Sequence, residues 1–200
     1  MRLFGWMHNR LVYNRRMNLL ADRIAFLLPQ GARVLDVGCG DGMIDSLIMR
    51  RRPDVAISGI DVLVRENTYV PVAAFDGSRI PYKDKSFDAV IFIDVLHHTG
   101  SPDKLLREAK RVSRSVIVLK DHIREGAFDN LTLRLMDWVG NAHYGVVLPY
   151  NYWSKRQWQN AFSTLGLKVE DWDGRIGLYP WPATLVFDRS LHFIVRIARI

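Results

Sequence analysis

Residues 34–42 read Val34-Leu35-Asp36-Val37-Gly38-Cys39-Gly40-Asp41-Gly42, an apolar run that passes straight into a glycine-rich turn. Val34, Leu35 and Val37 suit a strand covered on both faces, because such strands are near-continuous hydrophobic runs rather than alternations. Gly38, Gly40 and Gly42 remove Cβ atoms where backbone must come close to a ligand. Helical spacing resumes at once with Met43, Ile44, Leu47 and Ile48. A strand, a glycine turn and a helix N-terminus together offer unpaired N–H groups and a favourable dipole to a carboxylate or phosphate. The stretch therefore predicts a cofactor loop.

Outward from the loop, further strands are predicted at Val55–Ile60, ending on Asp61; at Val72–Phe75, ending on Asp76; at Ala89–Ile93, ending on Asp94; and at Val116–Leu119, ending near Lys120 and Asp121. Strands alternating with helices imply parallel βαβ units, whose ligands gather at the carboxyl ends of the strands. Upstream, apolar positions from Arg10 to Leu28 recur at helical spacing up to Pro29. Ser101-Pro102-Asp103 predicts an N-cap, a proline in the first turn and a dipole-favoured acid, opening a helix through Val112. Residues 123–153 are less regular, with a helix from Phe128 to Val139, and read as an insertion covering the acceptor site. Ser154 and Gln157 match a capping box. The helix they open ends before Gly166, and Lys168–Trp172 and Leu191–Arg199 form a final strand pair.

The chain has 200 residues and is read as one domain over 1–200, with 1–29 as an N-terminal helical segment. It is 48% hydrophobic and 24% charged, the profile of a globular protein rather than a disordered one. Cys39 is the sole cysteine, which excludes an internal disulfide and a cysteine-based zinc site, so no metal is expected and the cytoplasm is the expected setting. The formal charge of +7 is compatible with nucleic acid, anionic lipid or an anionic substrate and does not choose among them. In the N-terminal segment, charges interrupt the apolar residues too often for a signal core or membrane span. Two readings of it stay open: a helix packed beside the sheet, or a basic surface, with Met1–Met7 ahead of it, that touches a membrane.

Residues 34–42, with Gly59-Ile60-Asp61, Asp76-Gly77-Ser78, Ser86–Val90 and Asp94-Val95-Leu96-His97-His98, resemble the class I S-adenosylmethionine-dependent methyltransferases. Within that class the resemblance is to the small-molecule, ubiquinone/menaquinone C-methyltransferase-like enzymes of the methyltransferase type 11 group. It runs roughly over Ala32–Leu119, with a weaker match at Tyr152–Val169. It implies an α/β, Rossmann-like sheet of seven strands, mostly parallel with the last antiparallel and helices on both faces. It also implies S-adenosylmethionine as cofactor and S-adenosylhomocysteine as product. Cofactor contacts are implied at Asp36, Gly38, Cys39, Gly40, Asp61, Val62, Asp76, Gly77, Asp94 and Val95. Asp36 would lie near the ammonium, Asp61 would take the ribose hydroxyls and Asp76 the adenine amino group. Asp94, Leu96 and His97 would stand where sulfonium and acceptor meet. A nicotinamide dinucleotide site fits less well. It calls for Gly-x-Gly-x-x-Gly, whereas Gly42 comes one residue early and Asp41 sets a carboxylate beside the diphosphate position.

Methyl transfer is an in-line displacement and needs a base only if the acceptor must lose a proton. His97, His98 and His143 are the candidates for base or acceptor-orienting roles, with His122 also at a strand end; neighbouring His97 and His98 are expected to point apart. Tyr144, Tyr150, Tyr152 and Trp153 either form a hydrophobic core under the insertion or line a site for a small, partly apolar acceptor methylated at oxygen, carbon or nitrogen. Methylation of RNA or protein, and a cofactor-binding partner subunit that transfers nothing, are the alternatives. Nucleic acid is disfavoured as partner because Ile93–His98 lacks an Asn/Asp-Pro-Pro-Tyr pattern and the sole cysteine sits in the cofactor loop. Arg50-Arg51-Arg52 is expected to be a solvated helix end.

Overall fold

The computed structural model describes residues 13–141 and 149–199. His143, Tyr144 and the segment Met1–Met7 lie outside the described residues. The sheet is built outward from β1 (Arg33–Val37), which pairs in parallel with β2 (Ala56–Asp61) on one side and β4 (Phe87–Ile93) on the other. β3 (Val72–Ala74) flanks β2, and beyond β4 come β5 (Ser113–His122), β7 (His192–Arg199) and β6 (Leu167–Asp173). The order is β3-β2-β1-β4-β5-β7-β6, and β7 runs antiparallel to both its neighbours. This is the seven-stranded, Rossmann-like plan expected.

The uninterrupted apolar run of β1 is explained by what covers it. Leu35 and Val37 face a core shared with Val90, Phe92, Ile117 and Leu119, closed by α3 (Pro102–Val112) and α5 (Lys155–Thr164) through Leu105, Leu106, Trp158 and Phe162. Val34 faces the opposite core with Ile57, Ala89 and Val118, closed by α1 (Asn14–Leu27) and α2 (Met43–Arg51) through Leu20, Ile24 and Ile48. Each such fully buried aliphatic side chain contributes about 1.5–3 kcal/mol, so the two-sided core fixes the strand's register.

Several expectations change in detail. The capping box at Ser154 and Gln157 forms with both bonds, whereas Ser101 occupies its N-cap position without a side-chain bond. β5 runs three residues past Leu119, because β7 keeps pairing it as far as His122 with His192. Arg51 and Arg52 are not a solvated helix end. Arg51 binds Asp22 and the carbonyl of Leu47, and Arg52 binds the carbonyls of Ala25 and Pro29, which pins α1 to the end of α2. A short helix, α6 (Thr184–Phe187), stands before β7 where none was expected. α4 (Asp129–Asn141) follows β5. Among the described residues no helix is long and apolar enough to cross a membrane.

Candidate active site

The loop after β1 turns through left-handed glycines, Gly38 at φ 80° and Gly40 at φ 61°. A Cβ on Gly38 would come within 2.6 Å of the Val95 side chain, which leans in from the end of β4. The Gly38 N–H donates to the Ile60 carbonyl at 2.7 Å, tying the loop to β2. Asp61, the last residue of β2, accepts from the Gly40 N–H and from the Leu63 N–H, each at 2.8 Å. Its carboxylate is thus aimed by two backbone donors and keeps lone pairs for a ligand's hydroxyls. Asp76 Oδ1 accepts from the Ser78 and Arg79 N–H groups and the Ser78 hydroxyl, and these bonds hold its carboxyl below the usual range. Val62 is exposed beside Gly77, where a Cβ would lie 3.1 Å from it. Asp61, Val62, Asp76 and Gly77 therefore come together at one edge.

Cys39 packs against Gly59, and burial, followed by the nearby carboxylates, pushes its thiol pKa up. Behind the loop lie two buried acids, Asp36 and Asp45. The two carboxyls face each other within hydrogen-bond reach. Burial is the main cause that raises Asp36 well above the usual carboxylate range and Asp45 to about 7. The pair thus retains a proton that a cation, such as the ammonium of S-adenosylmethionine, would displace. With Asp61 and Asp76 poised for hydroxyl and amino donors, the cradle fits that cofactor.

A second polar cluster stands at the carboxyl ends of β4 and β5. Asp94, at φ 58°, ion-pairs with both Arg16 of α1 and the fully buried Lys120 of β5. Burial disfavours the Asp94 charge, yet Lys120 and Arg16 hold its carboxyl well below the usual range. His97 Nδ1 lies 2.6 Å from Asp121 Oδ1, and Asp121 also accepts from the N–H groups of Leu96 and His122. On the other side of the same ring, His97 Nε2 is 3.4 Å from Asp137 Oδ2, and the Tyr152 hydroxyl donates to Asp137. Burial opposes a charge on His97, but Asp121 and then Asp137 outweigh it and hold its pKa at about 10. Burial, then the neighbouring His97, lowers His98 to about 4. The two adjacent histidines do not point apart: a 3-10 turn, Leu96–His98, brings their ring centroids within 4.0 Å. His122 and His192 complete the cluster, with His192 Nδ1 3.4 Å from Lys120 Nζ.

Arg16, Asp45, Asp137 and His192 escaped the sequence reading, whereas Lys120 and Asp121 were flagged by their place at a strand end. Asp137 had a signal that misled, because α4 turns its charge inward and its apolar side outward. Phe128, Leu131, Leu135, Trp138 and Val139 are exposed, while Leu133 and Asp137 are buried. An open cleft of about 650 Å³ lies beside Asp76, Tyr82 and Arg111, away from the histidine cluster.

A sheet with one antiparallel strand, a glycine loop after β1, and acids closing β2 and following β3 define a class I S-adenosylmethionine-dependent methyltransferase domain. The chain belongs to the family described as "Methyltransferase domain", which matches residues 12–171. It is 33% identical over 110 residues to the 27-O-demethylrifamycin SV methyltransferase of Amycolatopsis mediterranei, covering 48% of this chain and 40% of that protein. It is 28% identical over 94 residues to the tRNA (carboxymethyluridine(34)-5-O)-methyltransferase of Schizosaccharomyces pombe, covering 45% of this chain and 40% of that protein. The chain thus spans well under half the length of these relatives. Among solved structures, the Haloferax volcanii complex of the Trm112 methyltransferase activator with a methyltransferase shares the fold. The TM-score is 0.68 at 16% identity, covering 98% of this chain and 92% of that one. Relatives that act on tRNA stand beside one that acts on a small molecule, so the expectation that set nucleic acid aside has no support from them.

Proposed function

We propose that this chain transfers the methyl group of S-adenosylmethionine to a small, partly apolar acceptor seated over the carboxyl ends of β4 and β5. The observation that carries this reading is the enclosure of the polar cluster beyond Asp94. His97, Asp121 and Asp137 are buried and face one another, not a flat basic surface. Bound S-adenosylmethionine supplies a methyl group on a positively charged sulfur. The protein's share is placement: Asp36 and Asp45 attract the ammonium end, Asp61 takes the ribose, Asp76 the adenine, and Val95 packs over the glycine loop. Alignment and exclusion of water supply most of the catalysis in such a displacement. Half-buried His98 and the stacked rings of His97 and Tyr152 orient the acceptor.

RNA methylation is the second reading, favoured by the tRNA-acting relatives and the +7 charge. Release of S-adenosylhomocysteine, followed with phenols, quinols and macrocyclic alcohols and separately with unmodified tRNA, decides between them. Turnover with tRNA alone overturns the small-acceptor reading, and cofactor binding without turnover on either supports a partner-subunit role. For contact with a membrane surface, the exposed apolar side of α4 is a candidate beside the N-terminal helix, whose Arg16 turns inward to Asp94. Cosedimentation with anionic liposomes, diminished by Leu131→Ser with Leu135→Ser, tests that contact; pelleting by the double variant equal to wild type excludes it.

A further inference from the structure

We propose that His97, His98 and Asp137 bind one divalent transition-metal ion of the zinc type at the floor of the acceptor site. The role of the ion rests on the methyl-transfer reading; its binding does not. One ligand atom from each of the three residues lies within 4.8 Å of the others. His97 Nε2 is 3.4 Å from Asp137 Oδ2, close to the roughly 3.3 Å that separates neighbouring ligands around a tetrahedral ion with bonds of about 2.0–2.1 Å.

Two ring nitrogens point to a missing ligand. His98 Nδ1 is buried and without a hydrogen-bonded partner, and His97 Nε2, on a ring 1% exposed, faces Asp137 Oδ2 across 3.4 Å. Unpartnered buried atoms are rare in folded proteins and often mark an ion or water. The candidate ligands are also braced from behind. Asp121 Oδ1, 2.6 Å from His97 Nδ1, takes the proton-bearing side of the ring, so that an ion displacing the Nε2 proton would complete the carboxylate–histidine–metal arrangement. The Tyr152 hydroxyl braces Asp137 in the same way. Two imidazoles and one carboxylate suit zinc, cobalt or ferrous ions better than magnesium or calcium, which prefer oxygen alone.

The neighbouring group His97, Asp121 and His122 is less suited. All three are buried, and the facing Nδ1 atoms of His97 and His122, 3.3 Å apart, are already engaged around Asp121. At the His98 site the half-exposed ring leaves an open position, which an acceptor hydroxyl oxygen fits as a ligand to a Lewis acid. Counting cysteines cannot find such a set, since its members come from a 3-10 turn and from α4, about forty positions apart.

The competing occupant of Nε2 is a proton shared with Asp137. Chelator-stripped full-length protein, titrated calorimetrically with Zn²⁺ and followed by visible absorption with Co²⁺, distinguishes the two. The expected result is one ion per chain with a four- or five-coordinate Co²⁺ band, and at least about a ten-fold loss of affinity in His98→Gln and in Asp137→Asn. Thermal unfolding is recorded alongside; if Asp137→Asn does not fold, His98→Gln decides. No saturable binding to the wild type, or wild-type affinity in the folded variants, overturns the site. S-adenosylmethionine affinity is measured on the same samples. A chain that binds cofactor and no metal loses only this proposal, whereas one that binds metal and no cofactor loses the transfer reading.

Discussion

Cys39 fills the notch left by Gly59: a Cβ on Gly59 would lie 2.8 Å from the Cys39 Cβ and closer still to its sulfur. The glycine in β2 is there for the cofactor loop, which must lie flat against the strand for Gly38 to reach the Ile60 carbonyl. Gly59→Ala is expected to destabilise the protein by about 1–3 kcal/mol, the usual cost of overpacking, and to weaken cofactor binding by lifting the loop. Adding Cys39→Gly should restore most of the stability, whereas Cys39→Ala, which keeps the Cβ, should restore less. Urea midpoints read the cycle, and a wild-type midpoint for Gly59→Ala would refute the packing argument.

The buried acids behind the loop predict a pH dependence. The folded-state pKa of Asp45, about 7, and that of Asp36 are both raised by burial above their ordinary values. The contribution of Asp45 to stability is therefore fully present below about pH 4 and is lost as pH rises through about 7, and that of Asp36 falls in the same direction. The cofactor-free protein should lose on the order of a few kcal/mol across that window, and Asp45→Asn should flatten the loss. Melting curves at pH 5 and pH 8 test this. Identical slopes for the two proteins would exclude Asp45 as the source.

Asp94 holds two cations from different elements, Arg16 and Lys120. Lys120 is fully buried, so removing its carboxylate strands a charge inside the domain. Asp94→Ala is expected to cost about 3 kcal/mol or more, the scale of a broken buried pair. Arg16→Met should cost less, because its side chain is 27% exposed and a buried thioether can replace its stem. Denaturant titration ranks them, and an Arg16→Met loss equal to that of Asp94→Ala would place the dependence on packing of α1 instead.

What was legible in the sequence was what local patterning encodes. The double-sided strand of β1, the glycine turn at Gly38 and Gly40, the capping box at Ser154 and the acids at the ends of β2 and β4 each follow from a few adjacent residues. The histidine cluster does not. Arg16, Asp121, Asp137 and His192 come from α1, β5, α4 and β7, and meet only once the sheet has formed. Two rules of thumb also failed there. Charged residues at strand ends usually face water, yet β7 covers Lys120 and Asp121 through their pairing with Ile194 and Phe193. Helices usually turn apolar residues inward, yet α4 buries Asp137 and exposes Leu135.

Asp61 ties the glycine loop to the turn after β2, since one oxygen holds the Gly40 N–H and the other the Leu63 N–H. Asp61→Ala should weaken S-adenosylmethionine binding by about 1–3 kcal/mol, from lost bonds to ligand hydroxyls and a loosened loop. Asp61→Asn keeps one oxygen as acceptor and should fall between the wild type and alanine. Gly40→Val should be worse than either, because a β-branched residue at φ 61° is strained before any ligand arrives. Calorimetry on the three variants gives the order directly. Wild-type affinity in Asp61→Ala would remove the residue from the site and, with it, the reading that the end of β2 grips the ribose.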